Sequence, residues 1–189
     1  MTWKNTSRRY GPLSRGLHWM MLLWLIAVYV NINLRQLFPQ GRDLRLAFKA
    51  VHLMLGLSVL VWVSLRLYAR LGAPRPGMIL VLAPGQQRSS ALVHFALYGL
   101  MFCMPVLGWL LLSAAGKSIP FWGLELPALI ANNKALAHTI KERHETLGAA
   151  GYCLIAAHAA GWHHHYFRRD NTLTRLLAAA RLGRSPGPA

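Results

Sequence analysis

The chain has 189 residues, carries 21 Lys and Arg against 5 Asp and Glu, and is 54% hydrophobic. So apolar a composition excludes a disordered coil. With only 14% charged residues, the basic balance does not describe a soluble nucleic-acid binder; long uncharged stretches with basic edges are instead the pattern of an integral membrane protein, here of one domain.

The first 20 residues are not expected to be a cleavable leader. Their apolar run (MMLLWLIAVYV) continues past any cleavage site and lacks the small-residue pattern that processing needs. Charge gaps then mark four spans. Nineteen residues without Asp, Glu, Lys or Arg separate Arg15 from Arg35, and 16 separate Lys49 from Arg66. A further 28 separate Arg88 from Lys117, and 22 separate Glu145 from Arg168. Each gap is near the ~20 residues with which a helix crosses a hydrocarbon core. The second is the shortest, but Arg66 can snorkel outward and extend that span toward Arg70. The expected fold is all-α: an integral membrane four-helix bundle, up-down-up-down, with helices at about 17–37, 46–68, 91–114 and 144–166. These form one domain over 1–175, followed by a disordered cytoplasmic tail over 176–189.

The connections set the orientation. Pro74, Pro76, Pro84 and Gly85 keep the link between spans two and three from being helical throughout. The segment 115–143 is the longest outer connection. It contains Pro120, Trp122, Pro127 and an expected short helix near 133–143, and it is placed to cover the outer face. The N-terminal segment, the link from span two to span three and the C-terminal tail together hold 13 basic residues, against eight on the other side, which also carries Asp43, Glu125, Glu142 and Glu145. The positive-inside rule puts both termini in the cytoplasm. Cys103 and Cys153 lie in apolar runs, with no C-x-x-C and no disulfide framework.

Ionisable groups inside spans call for a functional explanation, and here they are nearly all histidine. His18 begins span one, His52 lies early in span two, His94 early in span three, and His144 and His158 in span four. Imidazole suits transition metals. The lack of intramembrane carboxylates argues against a zinc or manganese transporter, a carboxylate proton relay or a di-iron site. His144 and His158 are 14 residues apart, four helical turns less about 40°, so they share a face some 21 Å apart along the axis. They cannot serve one metal; each can serve its own. In the alternating topology His52 falls at the depth of His144, and His18 at the depth of His158. Two bis-histidine pairs stacked across a bundle are how haem is gripped from both faces. With no C-x-x-C-H the haem is not covalently attached, which makes two haem b the expected cofactors.

Neighbouring residues add detail. Gly56 and Gly148 each follow a ligand by four residues and leave room for a flat macrocycle, as do the alanines around His158. Arg66, 14 residues after His52, shares its face at the inner depth, where a guanidinium can pair with a haem propionate; Arg70 is grouped with it. Trp19 beside His18 is placed to pack on haem, while the other tryptophans read as interfacial anchors. His94 has no depth-matched spare partner and is assigned to hydrogen bonding or a quinone site. His163, His164 and His165 snorkel at the inner end of span four, where His165 can face a quinone.

The segments LHW at 17–19, VHLMLGLSVLVWVSLRLYAR at 51–70, HFALYGLMFCMPVLGW at 94–109 and HETLGAAGYCLIAAHAAGWHHHYFRRDNTL at 144–173 resemble the bacterial cytochrome b561 family. The resemblance runs through all four spans in order. It implies a di-haem inner-membrane cytochrome, with His18 and His158 on one haem and His52 and His144 on the other. Within that family the last segment is most similar to the superoxide oxidases, from which it differs by AHAA for LHAA, an extra histidine in the HHH run and an inserted stretch before span four. That likeness implies oxidation of periplasmic superoxide to dioxygen and reduction of ubiquinone. Arg42, Arg45, Lys49, Lys134, Lys141 and Arg143 are placed to draw the anion toward the outer haem. The alternative within the family is a cytochrome b subunit that links a periplasmic dehydrogenase or hydrogenase to quinone.

Overall fold

The computed structural model describes residues 11–41, 43–72 and 84–167, the side chains of Pro84, Trp162 and 164–167 excepted. The expected tail over 176–189 lies outside the described residues, as do Arg42, Pro74 and Pro76. Four helices make up the fold: α1 (Pro12–Gln36), α2 (Asp43–Leu71), α3 (Pro84–Ala114) and α4 (Lys134–Phe167). A two-residue-strand hairpin, β1 (Pro120–Phe121) and β2 (Leu124–Glu125), interrupts the connection between α3 and α4.

All four helices start earlier than the charge gaps imply. Pro12 occupies the first turn of α1, where its missing N–H is no loss and its fixed φ suits a helix. Pro84 likewise opens α3, so it and Gly85 belong to the helix and not to the preceding link. The short helix expected near 133–143 is continuous with the fourth span. Asn133 caps it, its Oδ1 accepting from Leu136 N at 3.0 Å, which satisfies a donor that has no partner within the helix.

α1 packs on α2, α2 on α3 and α3 on α4. Trp24 of α1 donates to the Leu55 carbonyl of α2, and His18, further back along α1, meets Arg66, further forward along α2. α1 and α2 therefore run antiparallel, and so do α3 and α4, where His94 lies beside His158 and Met104 reaches Gly148. At the α1–α2 corner, Arg45 Nη1 donates to the carbonyl of Phe38 at 2.6 Å and to that of Arg35 at 3.5 Å, tying down acceptors left over at the end of α1.

Among the described residues the central buried cluster is small: Met21, Val59, Val63 and Met101, with Trp24, Trp62, Leu97 and Phe102 packed around it. Outside it, Leu23 is 62% exposed, Leu92 66% and Phe95 78%, an apolar surface that a soluble bundle does not present. By length and composition, Pro12–Gln36, Asp43–Leu71 and Gly85–Ala114 can each cross a bilayer. α4, at 34 residues, is long enough but does not reach the same apolarity among the described residues. Its first third carries Lys141, Glu142, Arg143 and Glu145, and its middle is built from Gly and Ala.

The hairpin folds back against α2. Trp122 and Gly123, at its tip, both have positive φ (47° and 88°), the backbone of a tight type I′ turn. Trp122 Nε1 donates to Ser58 Oγ of α2 at 2.9 Å. Trp109 Nε1 donates to the Pro127 carbonyl at 3.0 Å, and Leu129 N to Ser113 Oγ at 3.0 Å, so the connection from α3 to α4 is fastened to α3 as well.

Candidate haem sites

The antiparallel packing brings the sequence-predicted histidines together at two levels. At one level His52 of α2 faces His144 of α4, ring centroids 6.4 Å apart and planes at 81°. At the other His18 of α1 faces His158 of α4, at 6.3 Å and 73°. Metal–nitrogen bonds of about 2.0–2.1 Å, plus about 1.15 Å from each nitrogen to its ring centre, would put two imidazoles that flank one metal ion roughly 6.3–6.5 Å apart. Both pairs have the spacing of imidazoles that share one metal ion.

The polar atoms around the first pair fit the same chemistry. Nδ1 of His52 and Nδ1 of His144 are buried without a hydrogen-bond partner, a state that costs about 1–3 kcal/mol for each group. The backbone of Val28 lies within interacting range of the His52 ring, and that of Met104 within range of the His144 ring. A ligating imidazole normally donates its second N–H to such a carbonyl. A Cβ on Gly56 would meet nothing within 4 Å, so α2 offers open space one turn from His52. Gly148 does not play the matching part: its Cβ position faces Met104 Cε at 3.5 Å and its carbonyl accepts from Tyr29. It lets α3 and α1 close on α4. A Cβ built on Gly108 of α3, a residue not singled out from the sequence, would stand 3.5 Å from His144 Cε1, so its missing side chain leaves that ring its place.

The second pair is surrounded by more polar groups. Arg66 Nη1 lies 2.8 Å from His18 Nδ1. Arginine has no acceptor, so Nδ1 accepts here and the ring proton sits on Nε2. Arg66 Nε donates to Tyr98 Oη at 3.1 Å, and the Arg70 guanidinium lies 5.5 Å from the centre of the Tyr98 ring. His94 of α3 stands beside His158, rings 5.1 Å apart, with Nδ1 2.7 Å from the Ser90 carbonyl. That bond places the His94 proton on Nδ1 and leaves Nε2 as an acceptor. Trp19 is 6.0 Å from His18, tilted by 59°. The His165 side chain lies outside the described residues.

Between the two levels, Tyr29 of α1 reaches α4. Its hydroxyl donates to the Gly148 carbonyl at 3.1 Å, its ring lies 4.5 Å from that of Tyr152, and Asn33 Nδ2 donates to Tyr152 Oη at 2.7 Å. Neither Tyr29 nor Tyr98 was singled out in the sequence. The available signal for Tyr98 was its position one turn after His94.

Two of the cations expected to draw anions are already engaged. Arg45 holds the α1–α2 corner, and Lys141 pairs with Glu145 at 3.6 Å on the surface of α4. Lys49 instead lies beside Lys117 and near Arg35.

An antiparallel bundle of apolar helices with paired imidazoles at two levels defines the class of membrane-embedded b-type cytochromes. The sequence model of the prokaryotic cytochrome b561 matches residues 9–178. The chain is 35% identical to "Cytochrome b561 homolog 1" of Escherichia coli over 170 residues, 89% of this chain and 97% of that one. It is 31% identical to the "Probable superoxide oxidase CybB" of Yersinia pestis over 175 residues, 92% and 98% of the two chains. It is 26% identical to "Cytochrome b561 homolog 2" of E. coli over 94% of this chain and 95% of that one. The chain belongs to the prokaryotic cytochrome b561 family, and is a multi-pass membrane protein for which haem b is the implied cofactor.

Proposed function

We propose that this chain carries electrons across the inner membrane from a periplasmic one-electron donor, superoxide, to ubiquinone, through two haem b groups. One observation carries the reading: two imidazole pairs, at 6.4 Å and 6.3 Å, stacked at two levels of one bundle. His52 and His144 hold the outer haem, and His18 and His158 the inner one, with both termini cytoplasmic. Each bound haem supplies a one-electron iron couple whose potential is set by its ligands, its burial and nearby charge.

The chain's own residues do the rest. Arg66 and Arg70 provide positive charge for the inner propionates, and Trp19 packs beside His18. His94, with Nε2 free to accept, serves the quinone side, a role to which the sequence also assigns His165. Outside, Lys49, Lys134 and Arg143 raise the local concentration of a small anion. The balance is simple: two superoxide ions give up one electron each and become dioxygen, while one ubiquinone takes two electrons and two protons. The 31% identity to a probable superoxide oxidase supports this choice of donor.

The purified chain, without other subunits, should show low-spin b-type bands at two haems per polypeptide and should reduce a water-soluble quinone when superoxide is supplied. The rate should fall as ionic strength rises. His52→Ala or His144→Ala should remove one haem, and His18→Ala or His158→Ala the other. A colourless chain refutes the cytochrome reading. A two-haem chain that turns over only with a dehydrogenase or hydrogenase subunit refutes superoxide as the donor.

A further inference from the structure

Tyr98 contributes to neither histidine pair, yet two guanidinium groups converge on it. Arg66 Nε donates to its hydroxyl at 3.1 Å, and Arg70 lies 5.5 Å from its ring centre. Tyr98 belongs to α3 and both arginines to α2, so its place depends on the packing of α2 against α3. The residue is half-buried beside the core cluster.

The other described bond of Arg66 depends on the state of His18. Nη1 can donate to His18 Nδ1 only while that nitrogen carries no proton, which keeps the proton on Nε2. When Nε2 binds a metal, a neutral imidazole carries its proton on Nδ1, and Arg66 can no longer donate there. The bond to Tyr98 is indifferent to this exchange, because a phenol oxygen accepts whatever His18 does. The hydroxyl also keeps its own hydrogen to donate onward, as to an anionic acceptor that Arg66 faces.

We infer that Tyr98 is a positioning residue for the inner haem, holding Arg66 at the His18/His158 level once His18 has become a ligand. This rests on the ligand pairing proposed above. A fixed guanidinium favours the reduced, less positive iron, so releasing it lowers the inner midpoint potential. Tyr98→Phe keeps the ring that Arg70 faces, so the effect of losing the hydroxyl runs through Arg66 and is contained in that of Arg66.

The test is a redox titration of the purified two-haem protein, followed by its visible bands, for wild type, Tyr98→Phe, Arg66→Gln and the double variant. At a fixed ambient potential, Tyr98→Phe should lower the reduced-to-oxidised ratio of the inner haem about fivefold, about 40 mV at 59 mV per tenfold. The outer haem should not move, and haem content should stay at the wild-type value. Arg66→Gln should lower the inner potential at least as far, and the double variant should match Arg66→Gln alone. Unchanged potentials in Tyr98→Phe, equal shifts of both haems, additive effects in the double variant, or loss of the inner haem from Tyr98→Phe when Arg66→Gln retains it would each overturn the assignment. A wild-type chain without two low-spin haems would instead overturn the pairing on which it rests.

Discussion

Gly151 lies seven residues from both His144 and His158, where Tyr29 crosses from α1 to α4. A Cβ built on it would overlap Tyr29 Oη and stand 3.0 Å from Leu100 Cδ2 and 3.2 Å from Tyr29 Cζ. Gly151→Ala must therefore displace the Tyr29 ring. That breaks the bond to the Gly148 carbonyl, a loss of about 1 kcal/mol, and it forces an extra methyl into a closed seam, about 1–3 kcal/mol more. The total of roughly 2–4 kcal/mol corresponds to a fall in Tm of roughly 4–16 °C for a chain of this size. The assay is thermal unfolding in a fixed detergent. Tyr29→Phe removes the overlapping oxygen, so Tyr29→Phe/Gly151→Ala should be more stable than Gly151→Ala alone, a coupling opposite in sign to simple addition. A Gly151→Ala protein as stable as wild type, or a double variant that sums the two losses, would refute this account of the seam.

Three further outcomes follow from other contacts. Trp122→Phe and Ser58→Ala each remove one partner of the 2.9 Å bond between hairpin and α2; each should raise amide exchange across 119–126, and the double variant should add little to either. Asn133→Ala removes the cap of α4 and should destabilise by about 1 kcal/mol, with faster exchange confined to the first turn of α4 in hydrogen-exchange mass spectrometry. Cys103 and Cys153 are both exposed on the surface of the bundle. If that surface faces lipid, a charged maleimide should label neither in intact vesicles but both after denaturation, and rapid labelling of Cys153 in vesicles would show that α4 does not cross.

The three apolar spans could be read from the sequence because charge avoidance in lipid is local and needs no knowledge of neighbours. The histidine neighbours could be read for a related reason: alternating topology fixes depth, the helical period fixes face, and together they leave His52 and His144, and His18 and His158, at matching places. Helix ends were less legible. Pro84 reads as a loop residue until its place in the first turn of α3 is known, and the cap made by Asn133 joins two segments that charge alone separates. The hairpin tip was hidden because its turn places a tryptophan at a positive φ, where Gly, Asn or Asp is the usual choice. Tyr29 and Tyr98 read as members of apolar runs; their partners lie 119 and 32 residues away in sequence, and only packing brings them together.

The helix that looks least like a membrane span is the one that carries a histidine of each pair. α4 supplies His144 and His158, and between them it presents Gly148 and Gly151, which admit Met104 and Tyr29, where large apolar side chains would raise its hydropathy. Those glycines let α1 and α3 approach closely, and a bundle in lipid is held by such close approach, since lipid tails are as apolar as leucine. Polar imidazoles and small residues both reduce apolarity, and both are needed on a helix that must face a partner at each of two levels. The modest hydropathy of α4 is thus a consequence of its place at the site. A longer run of leucine there would read more plainly as a span, but it would close the space into which the facing side chains reach.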